Sequence, residues 1–395
     1  MMKRKSKTCY CEIEFLKEFI NSHPTMLLPD DSIIRYMDNW LSLYKFICKS
    51  DVVINISSAE FQRLAETDDW FRIFWKKSGN GDCNIEFVDK LSFPFIKDLS
   101  ISKCDERHLN AVFLTTQPDQ ICIQQSKKYG VIVLNNNLLR ECDHLYMDSG
   151  TEFPSDRAKD WSFMQGLNRV FPTINTCNSM IIVDNYLFSD DIKNGFDERL
   201  EYNLKPLLKS LLPEKLAESE CFEISIFTED QNKQGLDRQL NYLNSLLYKI
   251  RPNLNFRLSI YGECRGIFHD RGILTNNVWI SSGHGFDIVK KDKTLEKPTT
   301  INIAFPFLQN KLSWCDGTVL NVVLKAASIS ENRLVEKDNY WGDEKRSNRI
   351  IYFFNHQEKE IKNEDIKDVK LINNKPFVKI DLTKIPGYSE WGKKF

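Results

Sequence analysis

The chain has 395 residues, of which 42% are hydrophobic and 28% are charged, and its formal net charge is -1 at pH 7. These proportions are typical of globular proteins and exclude a mostly disordered chain. Because the charge is balanced, a nucleic-acid role would need a local basic patch or a bound metal ion rather than a field from the whole chain. This length predicts two domains.

The 11 cysteines and the apolar segments indicate the compartment. The cysteines show no regular spacing and no signal peptide precedes them, so we expect reduced thiols that are mostly buried. No run of about 18 apolar residues occurs, which predicts that the chain has no transmembrane segment. We therefore expect a cytoplasmic protein.

The first 150 residues alternate between short apolar segments and amphipathic ones. Strands are predicted in TCYC, DVVINIS, NIEFV, AVFL and VIVLN, and helices over residues 31–48, 57–77 and 119–130. The last of these helices is expected to end on Gly130. Strands that alternate with helices in this way predict a mostly parallel sheet.

A change in composition separates this part from the rest of the chain. The stretch DSGTEFPSDRAKDW is polar and rich in turn-forming residues, so residues 151–175 are predicted to be a linker. Further strands are predicted in MIIVDNYLF, CFEISIFTED, NFRLSIYG and VWISSG, with helices that stop at Pro213 and Pro252. The predicted fold class is therefore α/β, with domains at residues 1–150 and 176–395.

The most informative stretch is FHDRGILTNNVWISSGHGFDIV, at residues 268–289. It places His269, Asp270 and Arg271 before a short apolar strand, then an Asn-Asn turn followed by a Trp, and then a Gly-x-Gly-Phe-Asp sequence that ends on Asp287. This pattern resembles the signature of the phospholipase-D-like C-terminal domain of MIT-domain proteins, and the resemblance covers residues 180–310.

The resemblance implies an α/β recognition module that binds an anionic ligand, a membrane or a protein partner through the face carrying His269, Asp270, Arg271 and Asp287. Phospholipase-D chemistry needs a nucleophilic histidine with a nearby lysine, and the chain has no H-x-K-x4-D pattern. We therefore expect this domain to be non-catalytic. A buried polar network that only holds the fold is the alternative. Arg271 is expected to pair with a carboxylate, with Asp287 as the first candidate, and Trp279 is expected to be buried.

Four acidic residues of the N-terminal part stand next to predicted strands. Glu12 follows the first strand, Glu60 opens the helix after DVVINIS, Asp105 opens a helix before AVFL, and Asp119 begins the helix after AVFL. This order resembles that of PIN-like nucleases, in which acids at strand ends collect around Mg²⁺ or Mn²⁺. The resemblance implies that these four residues are catalytic and bind the metal. The alternative is that Glu60, Asp105 and Asp119 only stabilise helix N-termini.

Together these patterns predict a metal-dependent nuclease that acts on RNA or DNA and carries a non-catalytic phospholipase-D-like recognition module. Such a pairing would suit a bacterial toxin or an antiviral defence effector. The alternative is a non-enzymatic binding or scaffold protein in which both halves are recognition modules.

Overall fold

A computed structural model describes residues 8–24, 31–89, 111–141, 149–153, 176–188, 200–217, 220–229, 233–262, 264, 267–268, 271–283, 285–286, 289, 299–304, 319, 321–330, 340–342, 348–351, 369–372 and 375–378. Over these residues the chain is an α/β protein with two large sheets and a separate two-stranded hairpin. Within this part of the chain, the helices are too short or too polar to cross a membrane.

The N-terminal part contains a five-stranded sheet. Its strands are β1 (Cys9–Cys11), β2 (Asp51–Ile54), β3 (Asn84–Phe87), β4 (Val112–Leu114) and β5 (Ile132–Leu134). Their order in the sheet is β3-β2-β1-β4-β5, and every neighbouring pair is parallel. The predicted parallel sheet is confirmed. Because β1 lies at the centre and the chain winds outward on both sides, the order reverses between β1 and β4.

Six helices lie among the described residues of this part. They are α1 (Ile13–Asn21), α2 (Asp31–Ile47), α3 (Ser58–Thr67), α4 (Asp69–Gly79), α5 (Asp119–Tyr129) and α6 (Asn136–Glu141). The prediction of a single helix over residues 57–77 is wrong, because Asp68 has an extended backbone and separates α3 from α4. The Asp68 side chain accepts hydrogen bonds from Trp70 N, at 2.8 Å, and Phe71 N, at 3.2 Å. It is therefore the N-cap of α4.

The second sheet is mixed and has eight strands. They are β6 (Ser149–Phe153), β7 (Ser179–Val183), β8 (Phe222–Phe227), β9 (Phe256–Tyr261), β10 (Arg271–Thr275), β11 (Trp279–Ser282), β12 (Thr299–Ala304) and β13 (Tyr340–Trp341). Their order is β13-β9-β8-β7-β10-β11-β12-β6. β7, β8 and β9 are parallel to one another, and the other pairings are antiparallel. β6 lies at the edge of this sheet, so residues 149–153 belong to the second sheet.

Two helices accompany the parallel strands of the mixed sheet. α7 (Lys205–Leu211) continues from a π-helical turn at Leu200–Leu204, and α8 (Lys233–Ile250) connects β8 to β9. The separate hairpin consists of β14 (Val369–Ile372) and β15 (Lys375–Val378).

Both faces of the mixed sheet are buried. Successive side chains of a strand point to opposite faces. On β7, Met180 and Ile182 pack into one apolar cluster, and Ile181 and Val183 pack into another. The first cluster also contains the apolar side chains of the parallel sheet, so the two sheets share one core. The second cluster contains Trp279, which is 0% exposed, and this confirms the prediction that it is buried.

Candidate functional site

The carboxyl ends of β1 and β4 lie side by side at the centre of the parallel sheet, where the strand order reverses. In doubly wound sheets, ligands bind in the crevice at this point. Glu12 directly follows β1, and Asp119 begins α5, the helix that follows β4. Two of the four predicted acids therefore lie at the edge where this type of sheet forms its sites.

The loop after β4 holds the Glu12 carboxylate. Its Oε2 accepts a hydrogen bond from the backbone N–H of Thr116, at 2.7 Å, and one from the Thr116 hydroxyl, at 3.0 Å. The backbone N–H of Glu12 donates to Leu114 O at 2.9 Å, which extends the pairing between β1 and β4 by one residue. These contacts fix the side chain of Glu12 beside the end of β4.

Asparagine side chains that follow β5 hold the Asp119 carboxylate. Asn135 Nδ2 donates to Asp119 Oδ1 at 2.6 Å, and Asn137 Nδ2 donates to Asp119 Oδ2 at 2.5 Å. The same Asn135 amide donates to Gln117 O at 2.8 Å, and its Oδ1 accepts from Leu138 N at 2.8 Å. Asn135 therefore connects the loop after β4 with the first turn of α6, and Asp119 lies within this polar network.

Cys122 lies one turn after Asp119 on α5, and the charges of Asp119 and Glu12 both affect its thiol. Burial raises the pKa of the Cys122 thiol to about 12, and the negative charges of Asp119 and Glu12 add to the rise. The loop after β4 is the geometric link between the two carboxylates, because Thr116 N donates to Glu12 and Gln117 O accepts from the Asn135 amide that also donates to Asp119.

Glu60 takes part in a different local structure. Its carboxylate accepts hydrogen bonds from the Ser57 hydroxyl, at 2.8 Å, and from Ser57 N, at 3.4 Å, while Glu60 N donates to Ser57 Oγ at 3.2 Å. This is a capping box at the start of α3. The hydrogen bonds from Ser57 lower the pKa of Glu60, and Arg63 and Lys17 add smaller effects.

Glu12 and Asp119 are thus both linked to the loop after β4, whereas the Glu60 carboxylate belongs to the cap of α3. Asp105, the fourth predicted acid, lies outside the described residues. Across the described part of the chain, no group of three or more His, Cys, Asp or Glu side chains converges. Mg²⁺, however, often binds through one or two carboxylates and completes its shell with water and substrate phosphate. The oxygen donors of Glu12 and Asp119 fit that mode of binding.

A shallow open cleft of about 520 Å³ lies between α1 and α6, beside Asp119. Its lining consists of Glu18, Asn21, Ser22, Asn136, Asn137 and Arg140. Asn137 belongs both to the cleft and to the network around Asp119. The Arg140 guanidinium lies 5.3 Å from the centre of the Tyr36 ring and supplies a positive charge at the mouth of the cleft.

A second polar cluster lies at the carboxyl end of β7 in the mixed sheet. Arg271 Nε is 3.9 Å from Asp184 Oδ1, and the guanidinium carbon is 4.7 Å from the centre of the exposed Tyr186 ring. The buried Asp184 carboxylate also accepts hydrogen bonds from Tyr186 N, at 2.9 Å, and Phe286 N, at 3.2 Å. Arg271 therefore has a carboxylate partner, and the same carboxylate holds two loops.

The other residues of the predicted C-terminal binding face are not part of this description. His269, Asp270 and Asp287 lie outside the described residues, so their expected role, and the expected pairing of Arg271 with Asp287, stay predictions.

Sequence reasoning missed the polar residues that surround the two acids. In the sequence, residues 135–137 only mark the end of the strand VIVL, and Thr116 is one hydroxyl of a common Thr-Thr pair. The signal that identifies them is positional, because side chains that follow neighbouring parallel strands meet at the same sheet edge. Asp184, directly after the apolar run MIIV, follows the same rule in the second sheet.

No family model and no curated protein matches the sequence. Among solved structures, a phospholipase D family member, Nuc from Salmonella typhimurium, aligns with 51% of this chain and 99% of its own chain, with 12% sequence identity and a TM-score of 0.24. A likeness of this size decides neither fold nor activity, so the phospholipase-D-like and PIN-like resemblances stay predictions.

Proposed function

We propose that the carboxyl edge of the parallel sheet is a Mg²⁺- or Mn²⁺-dependent site that cleaves phosphodiester bonds in RNA or DNA. The observation that carries the proposal is that Glu12 and Asp119 are both linked to the loop after β4 at the β1–β4 switch point, Glu12 through Thr116 and Asp119 through Asn135. The order of the acids in the chain, which resembles that of PIN-like nucleases, supports this reaction class.

Each residue of the edge has a defined part in this proposal. Glu12 and Asp119 would hold the ion through carboxylate oxygens, and Asp105 would be a third ligand. Thr116 fixes the direction of Glu12, and Asn135 fixes that of Asp119. The ion, when bound, would supply an activated water and a Lewis acid for the scissile phosphate.

The cleft between α1 and α6 would contact the strand that flanks the scissile bond. The chain as a whole carries a net charge of only -1, so attraction of a polyanion depends on local cations. Arg140 supplies one such cation in the lining of the cleft, which also contains the acidic Glu18.

In the mixed sheet, we propose a recognition surface rather than a catalytic one. Arg271 combines a partly exposed guanidinium with an exposed aromatic ring, which is suited to an anionic ligand or a protein partner. With cleavage at one sheet and recognition at the other, the chain would be suited to act as an effector of bacterial defence or as a toxin.

A non-enzymatic binding protein is the second candidate, and one observation favours it. Both oxygens of Asp119 already accept hydrogen bonds from asparagine amides, which is also what a purely structural network would show. In that case the chain would bind a ligand at Arg271 without cleaving nucleic acid.

The test is a Mn²⁺ titration of the full chain by calorimetry, followed by cleavage assays with labelled single-stranded RNA and DNA. Glu12→Gln and Asp119→Asn should each lower Mn²⁺ affinity and cleavage by about 10–100-fold or more, since even outer-shell partners of metals contribute that much. The matched controls are Glu66→Gln and Asp82→Asn, which change exposed carboxylates elsewhere. The second of these only removes an ion pair with Lys77, at 2.9 Å.

Glu60→Gln distinguishes the prediction that all four acids bind the metal ion from the proposal that Glu12, Asp119 and Asp105 bind it without Glu60. Because the Glu60 carboxylate serves the capping box, this variant should keep the wild-type affinity for Mn²⁺. Wild-type protein that binds no Mn²⁺ and cleaves neither substrate would refute the nuclease proposal. Ligand binding that is lost in Arg271→Ala would then support the non-enzymatic candidate.

A further inference from the structure

The C-terminal end of α5 is capped by residues of the other sheet. The last carbonyls of a helix have no partner within the helix and need donors from outside it. Lys128 O accepts from Ala217 N at 2.8 Å, and Tyr129 O accepts from Asn178 Nδ2 at 3.0 Å. Gly130 O, at the C-cap, accepts from Asn276 Nδ2 at 2.9 Å. These three consecutive carbonyls are therefore held by the mixed-sheet part of the chain.

The contact at this end of α5 is also tight. Gly130 has φ of +63°, in the left-handed region, and a Cβ placed on it would lie 2.3 Å from the carbonyl carbon of Cys177. Only glycine fits both the backbone conformation and the space. The end of the helix is thus pressed against the backbone that leads into β7.

Asn276 is itself fixed within the mixed sheet. It is 1% exposed, its Oδ1 accepts a hydrogen bond from Asn178 N at 2.9 Å, and its backbone N–H donates to Ser179 O at 3.2 Å. Its amide nitrogen, Nδ2, donates to Gly130 O at the end of α5. The neighbouring Asn277 instead donates to Thr176 O, which belongs to the same side of the junction.

The other end of α5 carries Asp119. The helix spans Asp119–Tyr129, so its two ends are about 16 Å apart, and a helix of this length transmits a shift of one end to the other as a rigid body. We call the hydrogen bonds from Asn178 to Tyr129 O and from Asn276 to Gly130 O the clamp. The clamp therefore sets the position of the first turn of α5 relative to Asn135 and Asn137.

We propose that Asn276 and Asn178 are positioning residues for Asp119, so that the mixed sheet sets the geometry of the acidic edge of the parallel sheet. This inference rests on the proposed function for its catalytic meaning, but the clamp itself is a structural property that can be tested without a metal ion. The Asn-Asn turn of the C-terminal motif is thereby assigned to the junction between the two sheets.

The test compares two isosteric variants of the full chain, Asn276→Asp and Asn277→Asp. Both replace a buried amide nitrogen with an oxygen at neighbouring positions. Only the first removes the closer of the two donors to Gly130 O, at 2.9 Å, and places a negative charge against that carbonyl, which leaves Asn178 Nδ2 at 3.3 Å as the other donor. Asn276→Ser removes the same donor without a charge and serves if the aspartate variant does not fold. The readouts are the side-chain amide resonances of Asn135 and Asn137, hydrogen exchange along α5, and Mn²⁺ affinity.

In Asn276→Asp, the side-chain amide resonances of Asn135 and Asn137 should shift, amides of α5 should exchange faster, and Mn²⁺ affinity should fall about tenfold. Asn277→Asp should change none of the three relative to wild type. The positioning role is overturned if Asn276→Asp leaves the resonances and α5 exchange unchanged, or if Asn277→Asp has the same effects. Wild-type protein that binds no Mn²⁺ would refute the proposed function alone, because the resonances still decide whether the clamp positions Asp119.

Discussion

Gly272 on β10 and Trp279 on β11 are diagonal neighbours, because Trp279 pairs with Leu274 and its ring extends over Gly272. Their contact can be tested by a double-mutant cycle. A Cβ added to Gly272 would lie 2.0 Å from Cη2 of the Trp279 ring, which is fully buried. Gly272→Ala alone should therefore force the ring or the strand to move. Overpacking of this kind costs about 1–3 kcal/mol of the free energy of unfolding.

Trp279→Ala should cost about 3 kcal/mol. Burial of roughly 200 Å² of aromatic surface at about 25 cal/mol per Å² stabilises the fold by ~5 kcal/mol. The indole Nε1 of Trp279 has no hydrogen-bond partner in the described structure, and an unpaired buried donor costs about 1–3 kcal/mol, which the truncation recovers. In Trp279→Ala, the added methyl at Gly272 enters vacated space, so the second change should cost close to nothing.

The measurement is urea unfolding followed by far-ultraviolet circular dichroism for wild type, both single variants and the double variant. The matched control is Gly79→Ala, because a Cβ at Gly79 meets nothing within 4 Å and should show no coupling to Trp279→Ala. The double variant should be more stable than the sum of the single losses predicts, by about 1–3 kcal/mol. Losses that add within about 0.5 kcal/mol would show that Gly272 and Trp279 do not meet as described.

Two further predictions concern the start of α3. Ser57→Ala removes the N-cap hydroxyl and should lower the free energy of unfolding by about 1 kcal/mol, measured by urea unfolding beside Ser58→Ala as the control. The second prediction follows from Ser57 lowering the pKa of Glu60 below its usual value of 4.5. The contribution of this pair is therefore present above the unfolded pKa and is lost as the pH falls through the lower folded pKa. The stability difference between wild type and Ser57→Ala should shrink below pH 4.5, and a constant difference down to pH 2 would contradict this assignment.

Local patterns in the sequence were enough to predict much of the fold. The β-branched runs became the buried strands β2 and β5, and the alternation with helices gave the parallel sheet. Gly130 was expected to end α5, and it does so with the left-handed backbone that favours glycine at this position. These features depend on neighbours within one turn or one strand, so the sequence contains the signal directly.

Contacts between distant residues could not be predicted in the same way. The amphipathic pattern is continuous over residues 57–77 and by itself favours one helix. The Asp68 side chain instead accepts a hydrogen bond from Trp70 N, which begins a second helix. Arg271 was expected to pair with a carboxylate, but nothing in its local sequence points to Asp184, which lies 87 positions earlier in the chain. For the candidate site, the sequence predicted that Glu12, Glu60, Asp105 and Asp119 converge, whereas the structure places Glu60 in a capping box and Asp105 lies outside the described residues. The asparagines that hold Asp119 were not predicted.

The C-terminal sequence motif and the candidate site are connected at the junction between the two sheets, because Asn276 of the motif caps the helix that begins at Asp119. The domains predicted at residues 1–150 and 176–395 stay a prediction. One apolar cluster contains side chains from both sheets, and the carbonyls that end α5 accept hydrogen bonds from residues next to the strands of the second sheet. Asn276, in the most distinctive part of the C-terminal motif, is buried at this junction. Because α5 also carries Asp119, the proposed clamp links the acidic edge to Asn178 and to the much more distant Asn276. Its chemistry should therefore be assayed in the full chain.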